Sequence, residues 1–282
     1  MAFERLGSNP LEYLPCEYPG SKLKFRGPQR KLQAPYAAFL GGTDTYGKFI
    51  EQPYPALIEA RTGVKCVNFG WPNAGVDVYL NDIGVLMATA NSAVTILQVP
   101  CVTNMTNRFY SVHPRRNDRF LEASGTLRAI YGEVDFTEFH FVRHMLERLQ
   151  KVSEERFATV IEEIQTAWIS RMQLLLQKID SKVILLWMSA RKPEEHTAQT
   201  RVEYDPICVS RQMVETLRPM AEQMIEVVAG DAIKTEGTKG MRFSELETPA
   251  AQEVLGPTVH YQVAEALGPL VEGMVQETKK AR

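Results

Sequence analysis

Two hydroxyls and a carboxylate, Thr43, Asp44 and Thr45, follow paired glycines at the end of an apolar run in F-L-G-G-T-D-T-Y-G (39–47). In open α/β sheets, polar groups at the carboxyl end of a buried strand are the ones that meet a ligand. Gly41 and Gly42 allow the positive φ or close approach that other residues resist. Two readings of the turn stand side by side. In one, Thr43 or Asp44 caps the helix that follows; in the other, Gly42, Asp44 and Thr45 contact a small molecule. A second polar supply lies at 101–133, where Thr103, Asn104, Asn107, Arg108, His113, Arg115, Arg116, Asn117 and Arg119 face one acidic residue, Asp118, before Phe120. Arginine forks bind carboxylate, phosphate or sulfate. The alternative is a solvated loop whose arginines pair with surface carboxylates.

Strands and helices must position these groups. Residues 36–40 are apolar throughout, as expected of a strand buried on both faces. Further strands read at 64–69, 93–99, 182–188 and 225–229. Between them, 53–61 has helical spacing with Gly63 as its stop, and 76–90 and 210–224 are also helical in pattern. Alternation of this kind predicts right-handed βαβ crossovers and a parallel sheet with helices on both faces. The second strand ends in Asn68-Phe69-Gly70 and the turn W-P-N-A-G, which carries Asn73. From 136 to 179 a long apolar stripe runs through Val142, Leu146, Leu149, Phe157, Val160, Ile164, Trp168, Met172, Leu175 and Ile179, interrupted at Ser153. It reads as core packing, with an excess of length that suggests a helical hairpin or a subunit interface. The chain divides into an arm (1–34), a first α/β part (35–135), the helical insertion (136–180) and a second α/β part (181–282). Residues 191–206, with His196, read as a flap, and a terminal helix at 257–278 carries His260 in its first turn.

Composition narrows the class. A net charge of −2 over 282 residues gives no global field for nucleic acid or anionic membrane. No apolar run approaches membrane-spanning length, and the amino terminus lacks a signal pattern. Cys16, Cys66, Cys101 and Cys208 show no paired spacing, which fits reduced thiols and a cytoplasmic setting. His140 and His144 are four apart, yet Phe141 and Val142 follow His140 where a metalloprotease helix needs a carboxylate, so no metal is expected.

The strand ends, taken together, resemble the SGNH (GDSL-type) hydrolases, whose first block is a strand leading into G-D-S-x-T-x-G. Gly41, Thr43, Thr45 and Gly47 fall on the first glycine, the nucleophilic serine, the threonine and the last glycine. Asn68-Phe69-Gly70 resembles the second block, Thr103-Asn104 the third, and His260 the histidine of the last block. The departures are Gly42 for the aspartate, Thr43 for the serine, Thr103 or a shifted Asn104 for the third-block asparagine, and Pro257 for the acid three residues before the histidine. The G-G-T-[DE]-T-Y-G turn is similar to that of a divergent bacterial branch.

The resemblance implies a three-layer, flavodoxin-like fold and, for activity, an ester hydrolase or O-acyltransferase without cofactor. Thr43 takes the nucleophile position and His260 the general base, with Gly70, Asn104 and the Thr43 amide as oxyanion donors. Glu253 or Asp231 is the acid that would orient His260. The expected substrate is a small, anionic or glycosyl ester, the anion read from the arginines of 101–133, and the expected assembly is a homodimer, read from the long helical stripe. The competing reading is a disabled SGNH-like protein that holds an anionic or sugar-like ligand between 41–47 and the arginines after Asn107, or acts through its helical interface. Sulfuryl or phosphoryl transfer is a third, but the chain has no G-x-x-x-x-G-K-[ST] loop.

Overall fold

A computed structural model describes residues 10–193, 205–230 and 235–280. The sheet is five-stranded and wholly parallel, built from β1 (Ala37–Leu40), β2 (Cys66–Asn68), β3 (Val94–Gln98), β6 (Lys182–Ser189) and β7 (Gln223–Val228), in the order β2-β1-β3-β6-β7. This is the doubly wound order in which the chain leaves β1 to one side and returns to the other at β3. Alternate residues of each strand enter different cores. Ala38, Leu40, Leu97, Val183, Leu185 and Trp187 face one, while Ala37, Phe39, Val94, Ile96, Ile184 and Leu186 face the other. Two buried faces explain why these strands are apolar without interruption.

Helices α1 (Thr43–Tyr46) and α2 (Tyr54–Thr62) connect β1 to β2, and α2 stops at Gly63, whose φ of 68° is left-handed. The span 76–90 forms two helices rather than one, α3 (Val76–Leu80) and α4 (Ile83–Ala90). Asp82 breaks it by capping α4 through the Val85 amide (2.9 Å) and accepting from Ser21 Oγ (2.7 Å). The segment 101–133 is not an irregular loop: β4 (Tyr110–His113) and β5 (Arg116–Ala123) form an antiparallel hairpin, followed by α5 (Gly125–Ile130). Its inward residues Tyr110, Val112 and Phe120 are buried, and the charged outward residues disguise the alternation.

The stripe from 136 to 179 divides at Ser153 into α6 (Val142–Val152) and α7 (Glu154–Lys178), with Ser153 Oγ accepting from the Arg156 amide (3.3 Å). Phe157, Val160, Ile164, Trp168, Met172 and Leu175 are fully buried against the sheet and its helices. The stripe is therefore internal core, and a helical subunit interface would have to use other residues. His140 precedes α6 instead of lying on it, and both it and His144 are exposed. Residues 210–224 shorten to α8 (Arg211–Leu217) and a 3-10 turn before β7. Helix α9 (Thr248–Gln252) and the long α10 (Pro257–Lys280) follow, and α10 packs with α2 on the second core. Cys16, Cys66, Cys101 and Cys208 are free thiols. Among the described residues no helix is long and apolar enough to cross a membrane.

Candidate functional site

At the β1/β3 switch point a single amide organises the turn. Gln98, the last residue of β3, accepts on Oε1 from the Gly42 amide (3.2 Å), the Thr45 amide (3.3 Å) and Thr45 Oγ1 (2.6 Å). Its Nε2 donates to Asp44 Oδ2 (3.3 Å), and Asp44 Oδ1 accepts from the Leu255 amide (3.2 Å). Burial pushes the Asp44 carboxyl up to about 6; the nearby Asp205 carboxylate adds to the rise, and the Leu255 and Gln98 hydrogen bonds only partly oppose it. Gly41 is required by close approach, since a Cβ there would sit 2.1 Å from Thr45 Oγ1. Tyr79 closes the rear of the turn, donating to the Gly41 carbonyl (2.5 Å) and accepting from its amide (3.0 Å).

On the solvent side Thr43 is locked to Asn73. Thr43 Oγ1 donates to Asn73 Oδ1 (3.1 Å) and accepts from the Asn73 amide (3.1 Å). Asn73, at φ 56°, passes the contact on, since its Nδ2 donates to Asp118 Oδ2 (3.1 Å) and its carbonyl accepts from Asn104 Nδ2 (3.1 Å). Beside them lies a cavity of about 350 Å³. Lys24, Arg116 and Arg119 are its cations, Asp118 its carboxylate, and Tyr46 and Trp71 its aromatic walls. Lys24 also pairs with Glu17 (3.4 Å), and the Arg119 guanidinium lies over the Phe141 ring (4.0 Å).

His260 lies elsewhere in the network. It is fully buried in the first turn of α10; Nδ1 accepts from the Tyr54 amide (3.2 Å), and Nε2 has no partner among the described residues. Burial, with a smaller push from Arg26, lowers it to about 3, so the ring is neutral and carries its proton on Nε2. Its ring stacks on Tyr54, whose hydroxyl bonds Thr45 Oγ1 (2.8 Å). Thr43 and His260 thus share no hydrogen bond; among the described residues His260 reaches the turn through Tyr54 and Thr45.

The remaining expected groups divide. The Gly70 amide donates to Asn68 Oδ1 (2.8 Å), whose Nδ2 in turn holds the Thr45 carbonyl (2.7 Å). Thr103 is buried and donates to Asn104 Oδ1 (3.4 Å). Asn107 builds its own turn, accepting from the Phe109 amide (2.9 Å), and Arg108 pairs with Glu163 on α7 (3.2 Å). Arg115 contributes its carbonyl, which accepts from Trp71 Nε1 (2.6 Å). Glu253 pairs with Arg143 (3.1 Å), while Asp231 and His196 lie outside the described residues. Among the described residues no group of three or more His, Cys, Asp or Glu side chains is placed to hold a metal.

Residues 1–275 match the family model of the Domain of unknown function (DUF6473). The chain belongs to that family. No curated protein matches it by sequence. Among solved structures it is similar to the lipase Lip_vut3 from a goat rumen metagenome, at 11% identity and a TM-score of 0.44, covering 83% of this chain and 96% of that one.

This DUF6473 chain places Gln98, Tyr54, Lys24 and Trp71 at or behind the site, none of which the motif reading selects, and gives Asn117 a buried structural place there. Asn117 is 1% exposed and ties the hairpin to the second turn, accepting from the Gly75 amide (3.0 Å) and donating to the His113 carbonyl (3.1 Å). A lone asparagine among arginines, or a glutamine ending an apolar strand, gives no signal in sequence. The partners of Gln98 on the turn lie 53 to 56 residues away, and Gly75 lies 42 from Asn117.

Proposed function

We propose that this chain is a ligand-binding protein on an SGNH-like scaffold, and that the pocket beside Asn73 holds a small molecule through an anionic group. One observation carries the reading. The nucleophile position, Thr43, is bonded on both sides to Asn73, while the base position, His260, is buried, neutral and bonded to Tyr54. General-base activation of a hydroxyl needs the base within hydrogen-bond reach. The pocket, in contrast, is lined by Lys24, Arg116 and Arg119 beside the turns that follow β1 and β2. A ligand that binds only the folded chain raises its melting temperature. Sodium sulfate and phosphate at constant ionic strength should do so for the wild type and not for Arg116→Ala/Arg119→Ala. Equal shifts in both proteins would remove the arginines from the site.

Asp44 favours a second reading, an ester hydrolase or O-acyltransferase. A carboxyl at about 6 directly after the nucleophile position titrates near neutrality, and it would have to leave Gln98 and the Leu255 amide to reach the Thr43 hydroxyl. In that chemistry Thr43 takes the acyl group, the alcohol leaves, and water or an acceptor hydroxyl completes the transfer, with Gly70 and Asn104 as the oxyanion donors. Both donors would first have to release Asn68 and Asn73. Hydrolysis of short-chain aryl esters that is lost in Thr43→Ala supports this reading; hydrolysis that survives the substitution rejects it.

A further inference from the structure

The walls of the cavity carry the binding reading further. Trp71 is a fixed surface: its Nε1 donates to the Arg115 carbonyl (2.6 Å), and Phe25 meets it edge-on at 6.4 Å and 74°. Tyr46 is set by α1 and by the ring of Tyr13 at 5.2 Å. Two preorganised aromatic walls, a cationic rim and a carboxylate form an amphipathic recognition set. The rings suit the C–H faces of a saturated ring, the cations an anionic substituent, and Asp118 the hydroxyls, because a carboxylate accepts several hydrogen bonds beyond the one from Asn73. At about 350 Å³ the cavity has room for one such ring.

We infer that the pocket takes a single sugar unit bearing a carboxylate or sulfate, an inference that rests on the anion-binding reading and narrows its ligand. Tryptophan fluorescence can test it in the intact chain, because Trp168 and Trp187 are fully buried and Trp71 is only half-buried. Glucuronate should change the emission saturably, while glucose and AMP should bind at least about tenfold more weakly, or by about 1.4 kcal/mol. In calorimetry Trp71→Leu should weaken glucuronate by about tenfold and leave inorganic sulfate unchanged. Asp118→Asn, which keeps the shape, should lower the ratio of glucuronate to sulfate affinity, since it removes a hydroxyl acceptor and a like charge together. If Trp71→Leu does not fold, the Asp118→Asn ratio decides. AMP binding as tightly as glucuronate, or an unchanged ratio, overturns the sugar inference and leaves the anion reading standing. Failure of both sulfate and glucuronate to bind overturns both.

Discussion

Gln98 satisfies two backbone amides and a buried hydroxyl with one oxygen, so its removal leaves several polar groups unpaired at once. Each costs roughly 1–3 kcal/mol when stranded. Gln98→Leu should therefore lower the unfolding free energy by about 3 kcal/mol in urea titration, and a loss below about 1 kcal/mol would mean the turn is held by other contacts. Protonation should show two opposed trends. His260 sits at about 3 against an ordinary 6.5, so charging it favours the unfolded chain, and its share of stability is lost as pH falls from about 6.5 towards 3. Asp44 sits at about 6 against 3.8, so its share is present below about 4 and lost as pH rises through 6. Between pH 6.5 and 4, His260→Gln should flatten the acid loss and Asp44→Asn should steepen it. Parallel slopes in all three proteins would show that neither group titrates as its burial dictates. The hydroxyl and carboxylate turn was legible because its residue types are unusual after an apolar strand. The role of Gln98 was not, because a hydrogen-bond hub is defined by partners 53 to 56 residues away.

Elements, too, meet at specific atoms. A Cβ on Gly70 would lie 2.3 Å from the Tyr46 amide nitrogen and 2.6 Å from the Thr45 carbonyl carbon, both backbone. The exit of β2 therefore packs on α1 with no room for a methyl group. Gly70→Ala should cost about 3 kcal/mol, at the upper end of ordinary overpacking. Gly42→Ala, with nothing within 4 Å, should cost far less. Similar losses from the two substitutions in denaturant would contradict this account of the turn. The parallel strands were readable from sequence because burial on both faces removes the polar alternation. The β4–β5 hairpin was not, since Arg116 and Arg119 break the apolar pattern of β5 and its register slips at Ser111/Val112 and Val112/His113. Likewise the capping bonds of Asp82 and Ser153, each local, decide where single helical patterns become two helices.

For the molecule as a whole, two cores on opposite faces of one sheet mean that the long helical segment belongs to the fold. Leu175 is fully buried in the larger core, so Leu175→Asp should unfold the chain rather than separate subunits. A folded Leu175→Asp monomer from a wild-type dimer, seen by sedimentation with circular dichroism, would reverse that assignment. The same architecture sets Asn73, Arg116 and Arg119 around one cavity, with Thr43 bonded to Asn73. Anion binding through the hairpin is what the proposed function requires of this cavity. Calorimetric titration of the full chain with sodium sulfate at pH 7, in wild type and in Arg116→Ala/Arg119→Ala, tests it most directly. The account predicts saturable binding in the wild type, weakened at least about tenfold in the double variant. Binding of equal strength in both, or none in the wild type, would contradict it.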